Sequence, residues 1–157
     1  KIIEDICSEV EGIVVPANYN SPGQLVISGE INAINLACEN LTEAGAKRAL
    51  VLPVGGAFHS PMMNPAKDEL ATAIESAVIS SPVCPIYQNF SAKPEKDPST
   101  IKRNLISQLT APVLWTQIEN AMIGDGMSEL IEVGPGKVLQ GLIKKIDRRF
   151  QSSSASI

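Results

Sequence analysis

The residue best suited to chemistry is the only histidine of the chain, His59, in the segment Gly55-Gly56-Ala57-Phe58-His59-Ser60-Pro61. It follows a predicted strand through two glycines, and such strand-to-loop junctions often carry functional residues in α/β folds. An imidazole there can take the proton of a hydroxyl nucleophile and return it to a leaving group. From spacing alone, a packed or surface histidine is the more frequent alternative. Ser60 makes no dyad with His59, because sequence neighbours usually point apart.

A second candidate is the segment Glu132-Val133-Gly134-Pro135-Gly136-Lys137, in which a carboxylate ends a predicted strand and two glycines precede a helix. One interpretation is an anion site on the amides of the helix N-terminus. An ordinary strand-to-helix turn is favoured, because the glycine spacing matches neither the P-loop nor the dinucleotide-binding motif.

A third set consists of uncharged amide side chains near predicted strand ends, which could line a polar cleft. Its members are Asn18, Asn20, Gln24, Gln88 and Asn89. For Asn18 and Asn20, stabilisation of a turn explains the residue types equally well.

The first half of the chain shows the pattern of a ferredoxin-like unit. Apolar residues at helical spacing predict a helix at the start, then strands over 13–16 and 24–29 around a turn or loop. A helix over 30–44 and a strand over 47–54 follow. The order helix, strand, strand, helix, strand is that of a split β-α-β unit whose first strand is absent. We therefore expect the chain to be one piece of a longer polypeptide.

The second half alternates helices and strands. Helices are predicted over 64–80, 100–109, 116–123 and 137–149, and strands over 83–90 and 128–133, which favours a parallel, layered α/β sheet. The serine-rich tail is predicted to be disordered. The predicted domains are thus a small subdomain over 1–54, part of a larger one over 55–150, and the tail over 151–157.

The composition narrows the possible partners and location. The 157 residues include 13 Lys and Arg against 17 Asp and Glu, a net charge of -4. This balance argues against nucleic acid or an anionic membrane as a partner. No apolar stretch approaches the roughly 20 residues that span a bilayer, so we expect a cytoplasmic protein. The three cysteines are widely spaced and odd in number, which predicts buried thiols and neither a disulfide framework nor a metal site.

Several blocks, read in order, resemble the malonyl-CoA:acyl carrier protein transacylase family. The blocks are residues 16–29, 44–48, 56–63, 88–89, 111–115 and 132–142. The resemblance extends to about Arg149, and the shared order and spacing make it specific. It implies an α/β fold: a ferredoxin-like small subdomain plus the C-terminal part of an α/β-hydrolase-like large subdomain, with the active site in the cleft between them.

The resemblance also implies a reaction of fatty acid biosynthesis. A serine in a Gly-His-Ser-x-Gly turn takes malonyl from coenzyme A and passes it to the phosphopantetheine thiol of acyl carrier protein. His59 matches the catalytic histidine of the family, and Gln108 stands where a backbone carbonyl orients that histidine. Asn18, Asn20, Gln24 and Asn89 stand where the family lines the cleft. Phe58 stands where a bulky ring favours malonyl over methylmalonyl.

The sequence departs from the family in one large respect. It contains no Gly-x-Ser-x-Gly, and the oxyanion-hole segment and the arginine that binds the malonate carboxylate are absent too. We therefore expect the second half of an enzyme that needs no cofactor beyond its substrates, is monomeric at full length, and is inactive as this chain alone. Two alternatives remain: an acyltransferase domain of a polyketide synthase, and a non-catalytic ferredoxin-like binding module.

Overall fold

The computed structural model describes residues 1–155 and begins with a helix, strand, strand, helix unit, as predicted. Its elements are α1 (Ile2–Glu9), β1 (Val14–Ser21), β2 (Gln24–Gly29) and α2 (Ile31–Glu43). The two strands pair antiparallel. Both helices pack on this hairpin through a buried core, since each presents an apolar stripe. That core consists of Cys7, Val10, Val14, Ala33 and Ala37.

Two positions of the hairpin explain its shape. Pro16 was predicted to end the first strand, but β1 continues through Ser21, so most of the predicted loop is strand. The strand continues because the register shifts between Pro16 and Asn18, and a bulge accommodates a residue with no N–H to donate. At the far end of the hairpin, a Cβ on Gly29 would lie 1.9 Å from the carbonyl oxygen of Ile13, so this close approach requires glycine.

The strand predicted over residues 47–54 is not observed. The segment has no secondary structure, and its apolar side chains Leu50, Val51, Leu52 and Val54 are 50–65% exposed. A strand exists only when a neighbour accepts its backbone hydrogen bonds. Within residues 1–155, none of the strands pairs with this segment.

The second half alternates helices and short strands, which together with the first half confirms the α/β class. After a 3₁₀ turn at Pro61–Met63, its elements are α3 (Asn64–Ser76), β3 (Ile86–Tyr87), β4 (Pro94–Glu95), α4 (Pro98–Gln108), α5 (Trp115–Gly124), β5 (Glu129–Glu132), α6 (Val138–Ile146) and β6 (Gln151–Ser154). β3 and β4 are antiparallel, whereas β5 and β6 are parallel. The described residues thus form three two-stranded sheets rather than one layered parallel sheet.

The prediction of a disordered tail is wrong for Gln151–Ser154. These residues form β6, which pairs with β5 in parallel, and the Gln140 amide on α6 donates to the Ser154 hydroxyl over 2.8 Å. Backbone hydrogen bonds build a strand without apolar side chains, so a serine-rich composition does not prevent it. Residues 156–157 lie outside the described part of the chain.

Two further expectations concern cysteines and membranes. Cys7 is buried as predicted, but Cys38 is half-buried and Cys84, in a segment without regular secondary structure, is exposed. Burial raises the pKa of the Cys7 thiol. None of the helices between residues 1 and 155 has the length and apolar character needed to cross a bilayer. The division at residue 54 stays a prediction.

Candidate functional site

His59 lies in a tight turn directly before the 3₁₀ helix. Its backbone has a φ of +59°, in the left-handed region that few non-glycine residues adopt. The buried hydroxyl of Ser60 donates to the Ala57 carbonyl over 2.6 Å and accepts from the Met62 amide over 3.3 Å. Ser60 therefore caps the 3₁₀ helix and holds the turn, which agrees with the expectation that it forms no dyad with His59.

The His59 ring contacts a residue 49 positions later. Its Nδ1 lies 3.0 Å from the backbone oxygen of Gln108. Gln108 is the last residue of α4, where carbonyl groups lack partners within the helix and are free to accept. A protonated Nδ1 that donates to this carbonyl leaves the Nε2 lone pair available to accept a proton. The structure thus brings together the two residues predicted to be catalytic.

The start of α4 is fixed by side-chain capping. Asp97 caps the helix and Pro98 occupies its first position, a favourable combination for starting a helix. The Asp97 carboxylate accepts from the Ser99 hydroxyl over 2.6 Å and from the Thr100 hydroxyl and amide over 2.7 and 2.8 Å. These hydrogen bonds lower the pKa of Asp97 to about 2.

The residues after α4 connect it to the other predicted site residues. Val113 donates its amide to the Ala17 carbonyl over 2.8 Å and accepts from the Tyr19 amide over 2.9 Å. The Leu114 amide donates to the Asn89 carbonyl over 3.0 Å. One short segment therefore ties β1, where Asn18 and Asn20 lie, and Asn89 to the helix that holds His59.

Some of the predicted site residues line one of two hollows. The first has a volume of about 160 Å³ and is lined by Asn89 and Gln108 among others. The second has a volume of about 250 Å³ and is lined by Gln24 with Tyr19 and Thr116. The Gln24 side chain accepts a hydrogen bond from the Lys145 ammonium group, which places a positive charge beside the turn between β1 and β2.

Four of the predicted residues line neither hollow: Asn18, Asn20, Phe58 and His59. The first two are half-buried on β1. The Phe58 ring is 51% exposed and lies over Gly56, where an added Cβ would come within 3.2 Å of the ring. Phe58, which directly precedes His59 in the sequence, therefore has an accessible ring.

Sequence reasoning missed one buried polar residue that lines the first hollow, Asn104. The buried Asn104 amide donates to the Gln88 side-chain oxygen over 2.9 Å, and the Gln88 amide donates to the Ile101 carbonyl over 3.1 Å. Gln88 was among the candidates, but Asn104 was not. The available signal was its position three residues after Ile101, a polar residue on the buried face of a helix. Such a residue is buried only when it is hydrogen-bonded.

The anion site considered at the start of α6 is not present. The Glu132 carboxylate accepts from the Leu139 and Gln140 amides over 3.0 and 3.3 Å, and from the Gln140 side chain over 3.2 Å. These bonds lower the pKa of Glu132, the Leu139 amide having the largest effect. Because the chain's own carboxylate satisfies these amides, the segment is the ordinary strand-to-helix turn that was favoured.

Comparison with known proteins places this geometry in a family. Residues 4–156 match the acyl transferase domain family. The malonyl CoA-acyl carrier protein transacylase of Bacillus subtilis is 41% identical over 156 residues, which are 99% of this chain and 49% of that protein. The transacylase of the same name from Salmonella typhimurium is 44% identical over 146 residues, 92% of this chain and 47% of that protein.

Solved structures give the same result. An acyl carrier protein S-malonyltransferase from Vibrio cholerae superposes with a TM-score of 0.94 at 42% identity, covering 98% of this chain and 51% of that one. A malonyl-transacylase in complex with its type II polyketide synthase acyl carrier protein has a TM-score of 0.91 at 40% identity, covering 99% and 50%. The chain spans about half the length of the relatives it matches. Since the family match nonetheless extends over nearly all of its residues, the chain belongs to the acyl transferase domain family.

Proposed function

We propose that the chain forms part of an enzyme that transfers a malonyl group from coenzyme A to the phosphopantetheine thiol of an acyl carrier protein. The observation that carries the proposal is the contact between His59 Nδ1 and the Gln108 carbonyl at 3.0 Å. It supports a role as general base, because a ring with Nδ1–H directed to a carbonyl presents Nε2 as the acceptor. The two relatives described above, of which this chain spans about half, are both named malonyl CoA-acyl carrier protein transacylase.

The proposed mechanism has two half-reactions with one base. His59 Nε2 takes the proton of a serine hydroxyl that is not in this chain, and the serine oxygen attacks the thioester carbon of malonyl-CoA. The imidazolium then returns the proton to the departing thiolate of coenzyme A. In the second half-reaction, His59 deprotonates the carrier thiol, which attacks the malonyl-serine ester, and the proton goes back to the serine oxygen. The backbone oxygen of Gln108 stabilises the imidazolium in both.

The remaining predicted residues are proposed to shape the cleft. Phe58 would exclude the extra methyl of methylmalonyl, while Asn18, Asn20, Gln24 and Asn89 would offer hydrogen bonds to the acyl and pantetheine groups. Lys145, held at Gln24, would attract an acidic carrier protein, because complementary charges increase the rate of encounter.

The decisive experiment measures transfer of labelled malonyl from coenzyme A to a carrier protein by the full polypeptide that contains this chain. His59→Ala is expected to lower kcat/KM at least about a hundredfold, the usual contribution of a general base. Glu39→Ala, at an exposed position of α2, is the control and should leave the rate unchanged. A near-normal rate in the His59 variant would refute the proposal.

The same assay separates the second candidate, an acyltransferase that serves a polyketide synthase. One solved relative is a malonyl-transacylase bound to a type II polyketide synthase carrier, which makes that carrier a realistic acceptor. Parallel assays with a fatty acid carrier and a polyketide carrier compare the two kcat/KM values.

Phe58→Ala should increase the use of methylmalonyl relative to malonyl roughly tenfold, since one methyl group is discriminated by about that factor.

A further inference from the structure

Of the carboxyl groups in the described chain, that of Glu119 on α5 is the most deeply buried. Glu119 is 0% exposed, and neither of its oxygens has a hydrogen-bond partner among residues 1–155. The indole Nε1 of Trp115, one turn earlier on the same helix, is also buried and has no partner there. A buried carboxyl group without donors favours its neutral form, because the charged form loses its hydration and gains nothing in return. Burial accordingly raises the pKa of Glu119 from its ordinary value of 4.5 to about 7.

The elements of the described chain that pack on α5 supply no charge to compensate Glu119. These elements are mainly β1 and α6, and their ionisable side chains are Tyr19, Lys144 and Lys145. The Tyr19 hydroxyl donates to the Glu4 carboxylate over 2.6 Å, and both lysines are exposed. α5 itself contains no other ionisable side chain. An ionised Glu119 is therefore stabilised only when water reaches it.

Few hydrogen bonds hold α5 and the residues before it to the rest of the chain. The Thr116 hydroxyl donates to the Tyr19 carbonyl over 3.0 Å. Directly before the helix, Val113 makes two backbone hydrogen bonds with β1, and the Leu114 amide donates to the Asn89 carbonyl. Opening of this segment breaks these contacts and uncovers one face of α5, but it leaves the β1–β2 hairpin intact. Local opening of this kind needs less free energy than unfolding of the whole chain.

We propose that Glu119 makes α5 a pH-sensitive latch: when its carboxyl group releases its proton to solvent, α5 and residues 113–114 detach from β1 more often. The open form is favoured then because only there does water surround the carboxylate. Residues 113–114 also connect Asn89 and β1 to α4, so each opening separates these residues from the helix whose last carbonyl contacts His59. The inference goes beyond the proposed function and does not depend on it, since it concerns only how α5 is held.

The direction of the pH dependence follows from the two forms. In the closed form Glu119 keeps its proton up to about pH 7, whereas in the open form it releases the proton above about pH 4.5. The preference for the closed form is therefore fully present below about pH 4.5 and is lost as the pH rises through about 7. Between pH 6 and pH 8, the ratio of open to closed molecules should increase roughly tenfold.

Hydrogen exchange with mass spectrometry tests the latch in the full polypeptide that contains this chain. After correction for the intrinsic pH dependence of exchange, the opening of residues 113–119 should increase roughly tenfold between pH 6 and pH 8. The opening of residues 31–41, within α2, should change less than about twofold. No change over residues 113–119 would overturn the inference. An equal change over both segments would also overturn it, because the whole protein would then loosen rather than α5.

Two variants connect the opening to the carboxyl group. Glu119→Gln keeps the size of the side chain and removes its ionisation, so the pH dependence over residues 113–119 should disappear. Glu39→Gln, at an exposed position of α2, is the matched control and should retain the tenfold increase. A tenfold increase that persists in Glu119→Gln would refute the latch. The comparison of the two segments in the unmodified protein needs no variant, so it decides the question even if Glu119→Gln does not fold.

Discussion

The α1–β1–β2–α2 unit and the segment over residues 46–60 both contain runs of apolar side chains, but they bury them to opposite extents. In the first, Cys7, Val14 and Ala37 are at most 5% exposed, because two helices cover one face of a hairpin. In the second, Leu50, Val51 and Leu52 are at least half exposed. Apolar residues therefore contribute to stability only where neighbouring elements cover them.

The same comparison clarifies how His59 is held. It follows the exposed segment, yet its turn is fixed by Ser60 within three residues and by Gln108 from α4. The position of His59 therefore depends on the turn capped by Ser60 and on α4, and not on the exposed segment before it. The site is held by hydrogen bonds, and the first unit is held by packing.

The largest expected effect tests the packed unit at its closest approach. Gly29→Ala would place a Cβ 1.9 Å from the Ile13 carbonyl oxygen and 2.7 Å from Val14 Cα, so the backbone must move. We expect it to lower the free energy of unfolding by about 3 kcal/mol, measured by urea denaturation.

The control is a glycine-to-alanine substitution at a position where the added Cβ meets no neighbouring atom. Gly141→Ala lies within α6 with no neighbour close to the new Cβ, and should increase stability by about 0.5–1 kcal/mol. If both variants had the same stability, the unit would be less tightly packed than its structure indicates.

The next effect concerns a buried charge-bearing group on α5, outside the two regions compared. Glu119 on α5 is buried, and neither of its carboxylate oxygens has a partner among residues 1–155. Burial raises the pKa of Glu119 to about 7. The folded state therefore holds a proton that the unfolded state releases at lower pH. The resulting stability is present below about pH 4.5 and is lost as the pH rises through about 7.

Glu119→Gln removes this titration. We expect the free energy of unfolding of the variant to equal that of the unmodified chain near pH 4 and to be higher by about 2 kcal/mol at pH 8, the cost of a buried charge without a partner.

Trp115 is the only tryptophan, so its fluorescence in the native protein should change with a midpoint near pH 7, and the variant should lose that change. A pH-independent fluorescence in the unmodified chain would show that Glu119 has a partner.

The smallest effect tests the exposed segment directly. Leu52→Ser replaces a half-exposed side chain with no element above it, and should change the free energy of unfolding of this chain by less than about 0.5 kcal/mol. Val14→Ala, in the core, should cost about 2 kcal/mol in the same denaturation experiment. Equal losses from the two substitutions would remove the distinction between the regions.

Local features of the fold were predictable because their causes lie within a few residues. Apolar spacing predicted the helices at Ile31–Glu43 and Trp115–Gly124 to within about two residues. The hairpin followed from two β-branched runs around Pro22-Gly23. The predicted strand over 47–54 failed because its residue types favour a strand but do not provide a neighbour. The predicted disorder over 151–154 failed for the converse reason, since β5 supplies a neighbour that the serines do not reveal.

The candidate site divides in the same way. Sequence reasoning identified His59, and the family resemblance added Gln108 and Phe58. Sequence reasoning did not identify Asn104, because a single polar residue on the buried face of a helix becomes meaningful only when its partner is known. It also did not show that the Gln108 side chain binds the turn after α4.

The sequence alone indicated the family, the helices with clear apolar spacing and His59 as the proposed base. These inferences depend on ordered motifs and on the types of residues within a few positions of one another. The pairing of the strands depends on the tertiary structure alone, whereas the resemblance already indicated the Gln108 carbonyl and the packing of α4 brings it to 3.0 Å from His59 Nδ1. That carbonyl lies 49 residues away, and the pairing of β6 with β5 depends on α6 returning the chain to the same edge. Contacts of this kind depend on where whole elements pack, which no short stretch of residues specifies.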